Sequence, residues 1–331
     1  MNFNGRRLSA LLLGIATTIL AIALPLMAEG PILSEKEIDA VASQTTVVIA
    51  QGLQKGDIEA RKEWNPGSGV IVSRRNRTYY VLTALHVVRT REVVYGVRTS
   101  DGEVHFVDDV KTQENIYPFG AEEGELGEKI QGFDMAIIKF ESDRKYPVAI
   151  MGNSTQLKKG DRVYISGWPN PEDESARRER ILSAGQLNEI INPPWSDGGY
   201  SLLYNNQTRR GMSGGPVFNA AGELIGIHGR GRAQKESYCI DPTLSTSNSC
   251  GMQTIHFIKQ AEAARLQLTF APPPVPKQLI AAGMKSRKTA DVIENIYEAF
   301  TFDKRALLRD GPSGGCGSLL LGDPCPAPNK D

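Results

Sequence analysis

The chain has 331 residues, and its 38 Lys+Arg balance its 38 Asp+Glu to a formal net charge of zero at pH 7. With 40% hydrophobic and 23% charged residues, it has ample apolar surface to bury, which excludes disorder as the main state. The neutral balance excludes a general nucleic-acid binder, which needs a basic face to release counterions.

At roughly 100–200 residues per domain, this length allows two domains or one large all-β unit with extensions, and 33 glycines with 19 prolines favour turn-rich β architecture. Arg6 and Arg7 precede an apolar run over 8–27, broken by Ser9, Gly14, Thr17, Thr18 and Pro25, with small Ala28 before Glu29. This is the pattern of a secretory signal peptide, residues 1–28, cleaved after Ala28. The run approaches the ~20 residues of a spanning helix, so a retained anchor is the alternative; Pro25 and the small-residue exit favour cleavage. The mature chain is then exported to a periplasmic or extracellular location, with no stable membrane span.

Ser34-Glu-Lys-Glu37 is a capping-box pattern that opens a short helix through Ala42, within an N-terminal helix and linker over 29–45. Apolar runs of strand length then recur between turn residues: 45–50, 69–72, 79–83, 92–97, 104–107, 135–140, 162–166, 180–185, 201–204, 215–218, 224–228 and 253–257. Many short strands at regular spacing read as an antiparallel barrel or sandwich, which occupies 46–270. A helix is expected over 258–266, and Pro-rich 271–276 forms a stiff linker. Residues 277–308 carry helical spacing, with Val292, Ile293, Ile296, Tyr297 and Phe300 on one side, and a Gly- and Pro-rich tail follows from Asp310. Residues 271–331 thus read as linker, small helical appendage and tail.

Four cysteines allow three pairings, and their positions group them as Cys239 with Cys250 and Cys316 with Cys325. Each pair closes a short loop, which suits disulfides in an oxidising compartment. No C-x-x-C occurs, and no metal or cofactor motif stands out. The acidic stretch Glu122-Glu-Gly-Glu125 reads as a solvated loop.

Three motifs carry chemistry. Strand 79–83 runs into Ala84-Leu85-His86, Phe133-Asp134 introduces strand 135–140, and Gly211-Met-Ser213-Gly-Gly-Pro216 precedes strand 217–218. A serine hydroxyl becomes nucleophilic when an adjacent base takes its proton, and a histidine, ordinarily titrating near ~6.5, suits that task. A carboxylate then fixes the imidazole tautomer. The triplet Gly211-x-Ser213-x-Gly215 also spells the nucleophile elbow of α/β hydrolases, but that elbow leads into a helix with Asp and His later in the chain. Here Pro216 and a strand follow, and the histidine lies upstream.

In these motifs, together with Gly67-Ser68-Gly69-Val70-Ile71-Val72, Asp134-Met-Ala-Ile-Ile-Lys-Phe140 and Ser166-Gly167-Trp168, the chain resembles the trypsin/chymotrypsin-like serine peptidases of the bacterial secreted branch. It is also loosely similar to exported trypsin-like proteases of cyanobacteria. The resemblance covers about residues 45 to 260. It implies an all-β fold of two six-stranded barrels, with the small helical appendage beyond them. His86 and Asp134 would come from the first barrel and Ser213 from the second, with the backbone N–H groups of Gly211 and Ser213 as the oxyanion hole. The substrates would be peptides or proteins, without a cofactor. Met212 departs from the animal members, where an aspartate here pairs with a newly cut N-terminus, so that activation route is not expected.

The pocket walls implied by the resemblance are Gln207-Thr208-Arg209-Arg210 and the stretch from Gly226 to Gly231, which includes His228, Gly229 and Arg230. No aspartate there would pair a substrate Lys or Arg. Thr208 and His228 are similar to the residues with which secreted glutamyl endopeptidases hold a substrate carboxylate, and the arginines would add a positive field. Equally, alternation makes His228 a hydrogen-bonded core residue and the arginines a solvated rim, with small or apolar P1 residues preferred. His105 and His256 read as structural. The rival functions are a non-enzymatic binding protein with a relict site and a protease-chaperone of envelope quality control.

Overall fold

The computed structural model describes residues 32–271, apart from 56, 58–60, 62–63, 125–128, 174–175, 232–238 and 240–248. The expected signal peptide, the linker after 271, the appendage and the Cys316/Cys325 pair lie outside the described residues.

Helix α1 (Glu35–Thr45) starts on the capping box: Ser34 Oγ accepts the Glu37 amide and Glu37 Oε2 accepts the Ser34 amide at 2.8 Å. It runs three residues beyond the expected end, its last hydroxyl, Thr45 Oγ1, donating back to the Val41 carbonyl at 3.0 Å. Ile38 and Ala42 form its buried face.

The first lobe is an antiparallel sheet of β1 (Thr46–Gln51), β2 (Gly67–Arg75), β3 (Thr78–Thr83), β4 (Tyr95–Arg98), β5 (Val104–Val107), β6 (Ile116–Glu123) and β7 (Lys129–Glu141), in the order β5-β4-β1-β2-β3-β7-β6. Its interior is built from alternating residues such as Val47, Ile49, Ile71, Tyr79, Val81, Val97 and Ile138. Strand β6 was not expected, because Pro118 interrupts its pattern. As an edge strand it tolerates the missing donor. Pairing with β6 also lengthens β7 well beyond the expected 135–140, across polar residues that the apolar pattern could not signal. The lobe is therefore a seven-stranded half-barrel where six closed strands were expected.

The second lobe does close, through β8 (Arg162–Gly167), β9 (Ile181–Ile190), β10 (Leu202–Tyr204), β11 (Pro216–Phe218), β12 (Leu224–Arg230) and β13 (Ser249–Gln253), in the order β10-β13-β12-β11-β8-β9. Closure leaves no exposed edge. Val163, Ile165, Leu202, Tyr204, Met212, Val217 and Ile225 fill it. Helix α2 (Thr254–Ala263) follows β13 directly. Strand was expected over 253–257, since Ile255 and Phe257 alternate, but Ile255, Ile258 and Ala261 also keep helical spacing and all are buried. The Ser154 hydroxyl accepts the Ile255 amide at 3.0 Å, satisfying one orphan donor of the first turn. A Cys239–Cys250 disulfide ties the segment before β13 to that strand.

One apolar cluster joins both lobes and both helices: Ile38 and Ala42 of α1, Val70, Leu82 and Met135 of the first lobe, Tyr164, Phe218 and Leu224 of the second, and Phe257 and Ile258 of α2. Each fully buried large aliphatic or Phe side chain stabilises the docked arrangement by ~1.5–3 kcal/mol, so the lobes are held as a packed pair. No helix among the described residues is long and apolar enough to cross a membrane.

Candidate active site

His86 sits in the 3-10 turn Leu85–Val87 at the end of β3, where buried Leu85 and Val87 anchor it. Its neighbour across the sheet is Asp134 of β7, wholly buried. The carboxylate grips the histidine twice, with Oδ2 2.7 Å from His86 Nδ1 and Oδ1 accepting the His86 amide at 3.0 Å. A carboxylate only accepts, so the proton lies on Nδ1 and the lone pair on Nε2. Burial pushes the Asp134 carboxyl upward, but His86 and the Tyr200 hydroxyl, which donates to Oδ2 at 2.5 Å, outweigh it and hold the carboxyl below the ordinary range.

Ser213 lies on the turn before β11, partly exposed, and its hydroxyl donates to the Gly229 carbonyl of β12 at 3.0 Å. The turn is docked onto the first lobe. Gly214, at φ +81°, lies so close that a Cβ there would stand 2.2 Å from both Ser68 O and Thr83 Oγ1, and 2.8 Å from the Ala84 nitrogen. The serine turn therefore rests on the residues that lead into His86.

Four consecutive carbonyls of this turn each have a donor. Arg210 O accepts from the Asn170 amide at 2.7 Å, Gly211 O from Ser68 Oγ at 2.8 Å, Met212 O from the Gly215 amide at 2.9 Å and Ser213 O from the Ser68 amide at 2.7 Å. In a trans peptide the N–H points opposite to the preceding C=O. Fixing Arg210 O and Met212 O thus aims the Gly211 and Ser213 amides to the other side, and neither donates to an acceptor among the described residues. Gly211 is at φ +96°, and a Cβ would meet the Trp168 carbonyl at 2.5 Å, so only glycine fits. Behind it, buried Arg178 donates to Trp168 O and Asn170 Oδ1 at 2.9 and 2.8 Å. Met212 is buried in the second-lobe core, which gives a charged N-terminus no acidic partner at this position.

The residues expected at the pocket have varied settings. Gln207 and Arg210 are exposed, and Arg209 pairs with Glu172. Thr208 is half-buried, its hydroxyl 2.9 Å from Ser249 Oγ. His228 is fully buried with Nδ1 2.8 Å from the Tyr204 hydroxyl, and burial together with nearby His86 brings it down to about 3, a neutral imidazole. Arg230 pairs with Asp197 at 2.7 Å and lies 4.7 Å over the Tyr200 ring, so its charge is compensated locally. His105 stacks on Phe140 and meets Tyr146, and His256 stacks on Phe133.

Sequence reasoning missed Tyr200, Asp197, Asn170 and Arg178, and read Ser68 only as part of a strand motif. Motif spacing carries no signal for them, because each acts through contacts between segments far apart in the chain.

Residues 67–227 match the trypsin-like peptidase domain family. Similar proteins include a probable periplasmic serine endoprotease DegP-like of Pseudomonas savastanoi, 27% identical over 82% of this chain and 48% of its own length. Serine protease HTRA1 of Xenopus laevis is 27% identical over 49% of this chain and 30% of its own length. Human serine protease HTRA4 is 26% identical over 49% and 29% respectively. The chain thus spans about half the length of the first relative and less than a third of the other two. Its motifs, its paired lobes and the matched segment agree: residues 67–227 carry a trypsin-like peptidase domain.

Proposed function

We propose that this protein is an exported endopeptidase that cuts peptide bonds with Ser213 as nucleophile, His86 as general base and acid, and Asp134 as the partner that orients the imidazole. The observation that carries this reading is the 2.7 Å Nδ1–carboxylate contact, which leaves the basic Nε2 lone pair on the side away from Asp134. The serine turn rests on the strand end that presents that histidine.

In the reaction, the Ser213 hydroxyl turns from the Gly229 carbonyl to His86 Nε2, gives up its proton and attacks the substrate carbonyl carbon. The developing oxyanion is met by the Gly211 and Ser213 amides, preorganised by their pinned neighbours. The imidazolium, stabilised by buried Asp134, passes its proton to the leaving amine, and an acyl-serine forms. Water then repeats the sequence and restores the enzyme. The periplasmic description of the DegP-like relative supports an exported setting.

The accompanying specificity is for Glu at P1. Thr208 supplies a hydroxyl beside Ser249, which pairs across strands with Tyr204, the partner of His228. His228 is neutral, with its ring engaged by the Tyr204 hydroxyl and the Cys250 backbone, so a substrate carboxylate would take its N–H only by displacing one of these partners.

The test is hydrolysis of a peptide library varied at P1, together with labelling by a fluorophosphonate. Ser213→Ala should abolish both, and His228→Ala should reduce cleavage after Glu selectively. Undiminished cleavage by Ser213→Ala rules out the nucleophile. Indifference to Glu, or an unchanged preference in His228→Ala, removes the pocket assignment alone.

A further inference from the structure

Tyr200 reaches Asp134 from an unexpected direction. It ends the connection between β9 and β10 in the second lobe, yet its hydroxyl donates to Oδ2 of a first-lobe carboxylate, the same oxygen that meets His86 Nδ1. The ring is fully buried and fixed on several sides. A Cβ on Gly229 would lie 2.3 Å from it, so β12 carries glycine to admit the ring. The Arg230 guanidinium lies over its face, and the Tyr200 carbonyl accepts the Trp195 amide at 3.0 Å. Arg230 is held in turn by Asp197, whose Oδ1 also accepts the Ile130 amide of β7 at 2.9 Å. The same connection supplies Gly198 O to the Asp134 amide at 2.9 Å.

We propose, on the reading of the active site above, that Tyr200 is a positioning residue of the Asp134–His86 pair, and that the Arg230–Asp197 ion pair stacked against its ring keeps the hydroxyl on the carboxylate. The groups facing this pair are His86, Tyr200, Arg230, Asp197 and His228. Burial and the neighbouring carboxylate keep the phenol protonated, a donor throughout. Its bond is strongest when Asp134 faces neutral His86, and weaker once the imidazolium already satisfies the carboxylate. The hydroxyl therefore favours the unprotonated pair, the form that acts as base, and takes part of the orienting load from the imidazole itself.

The experiment follows the low-field proton resonance of His86 Nδ1–H through pH in the full chain, assigned by its loss in His86→Ala. In Tyr200→Phe, which keeps the ring, the resonance should titrate at higher pH than in the wild type. The acid limb of kcat/KM should move the same way, and kcat should fall about tenfold with KM within about twofold. Asp197→Asn, which loosens Arg230, should move the titration in the same direction by less. Unchanged titration in both variants, or an equal loss of rate at every pH, overturns the proposal. Because the resonance needs no turnover, it judges Tyr200 even if wild-type hydrolysis fails, and that failure would count against the peptidase reading instead.

Discussion

Ser68→Ala probes how the proposed oxyanion amides of Gly211 and Ser213 are aimed. The Ser68 hydroxyl is fully buried and serves two partners, donating to Gly211 O at 2.8 Å and accepting from the Trp168 amide at 2.9 Å. Alanine leaves both groups buried and unpaired. Desolvated donors and acceptors cost ~1–3 kcal/mol each, with carbonyls toward the low end, so the fold should lose about 2–4 kcal/mol. At roughly 2–4 °C per kcal/mol for a domain of this size, Tm should drop by roughly 5–15 °C. The rate should suffer separately. Freeing Trp168 loosens the segment through Asn170, whose amide holds Arg210 O and so fixes the direction of the Gly211 N–H. Complete loss of one oxyanion donor costs ~10²–10³ in kcat, and a loosened donor should cost about 10–100-fold, with KM little changed. The assay is steady-state hydrolysis of a peptide substrate, normalised by active-site titration, beside calorimetry on the same samples. A kcat within about twofold of wild type, accompanied by the expected fall in Tm, would show that Ser68 supports the fold without aiming the amides.

Two further outcomes are expected. Gly229→Ala forces a methyl group into the Tyr200 ring. It should cost ~1–3 kcal/mol by overpacking and displace the hydroxyl from Asp134, so urea unfolding and kcat should both fall; an unaffected rate would mean the ring yields without losing its bond. Burial holds His228 at about 3 and His256 at about 4, so the folded state excludes protons that the unfolded chain binds below ~6.5. Their stabilisation is complete above that value and is lost as pH falls toward the folded values, each contributing a slope of ~1.4 kcal/mol per pH unit. Urea unfolding of His228→Gln and His256→Gln between pH 7 and 5 should show correspondingly flatter profiles, and slopes parallel to the wild type would refute this.

The parts of the site readable in the sequence are those whose chemistry is tied to local geometry. His86 ends a strand with a buried residue on either side, Asp134 starts an apolar run, and Gly211 and Gly214 mark a turn that no side chain fits. What could not be read depends on distant approach. Tyr200 lies in a Trp-Ser-Asp-Gly-Gly-Tyr stretch with the character of any turn, and its value comes from Asp134 lying 66 positions away. Strand β6 was concealed by Pro118, because the sequence does not state which strand will be an edge. The start of α2 was read as strand because Ile255 and Phe257 satisfy a period of two as well as a helical one. Arg230, legible only as a positive charge, is compensated by Asp197, a pairing between the end of β12 and the connection from β9 to β10.

The hub at Ser68 has a consequence for how the molecule comes into being. The proposed nucleophile Ser213 belongs to the later half of the chain, whereas Ser68, which holds the Gly211 and Ser213 carbonyls, and the proposed base His86 belong to the earlier half. On the proposed reading, a polypeptide still emerging, or one whose halves have separated, carries the parts of a cutting tool without the tool. On that same reading, the reactive geometry around Ser213 therefore exists only once the two halves have docked.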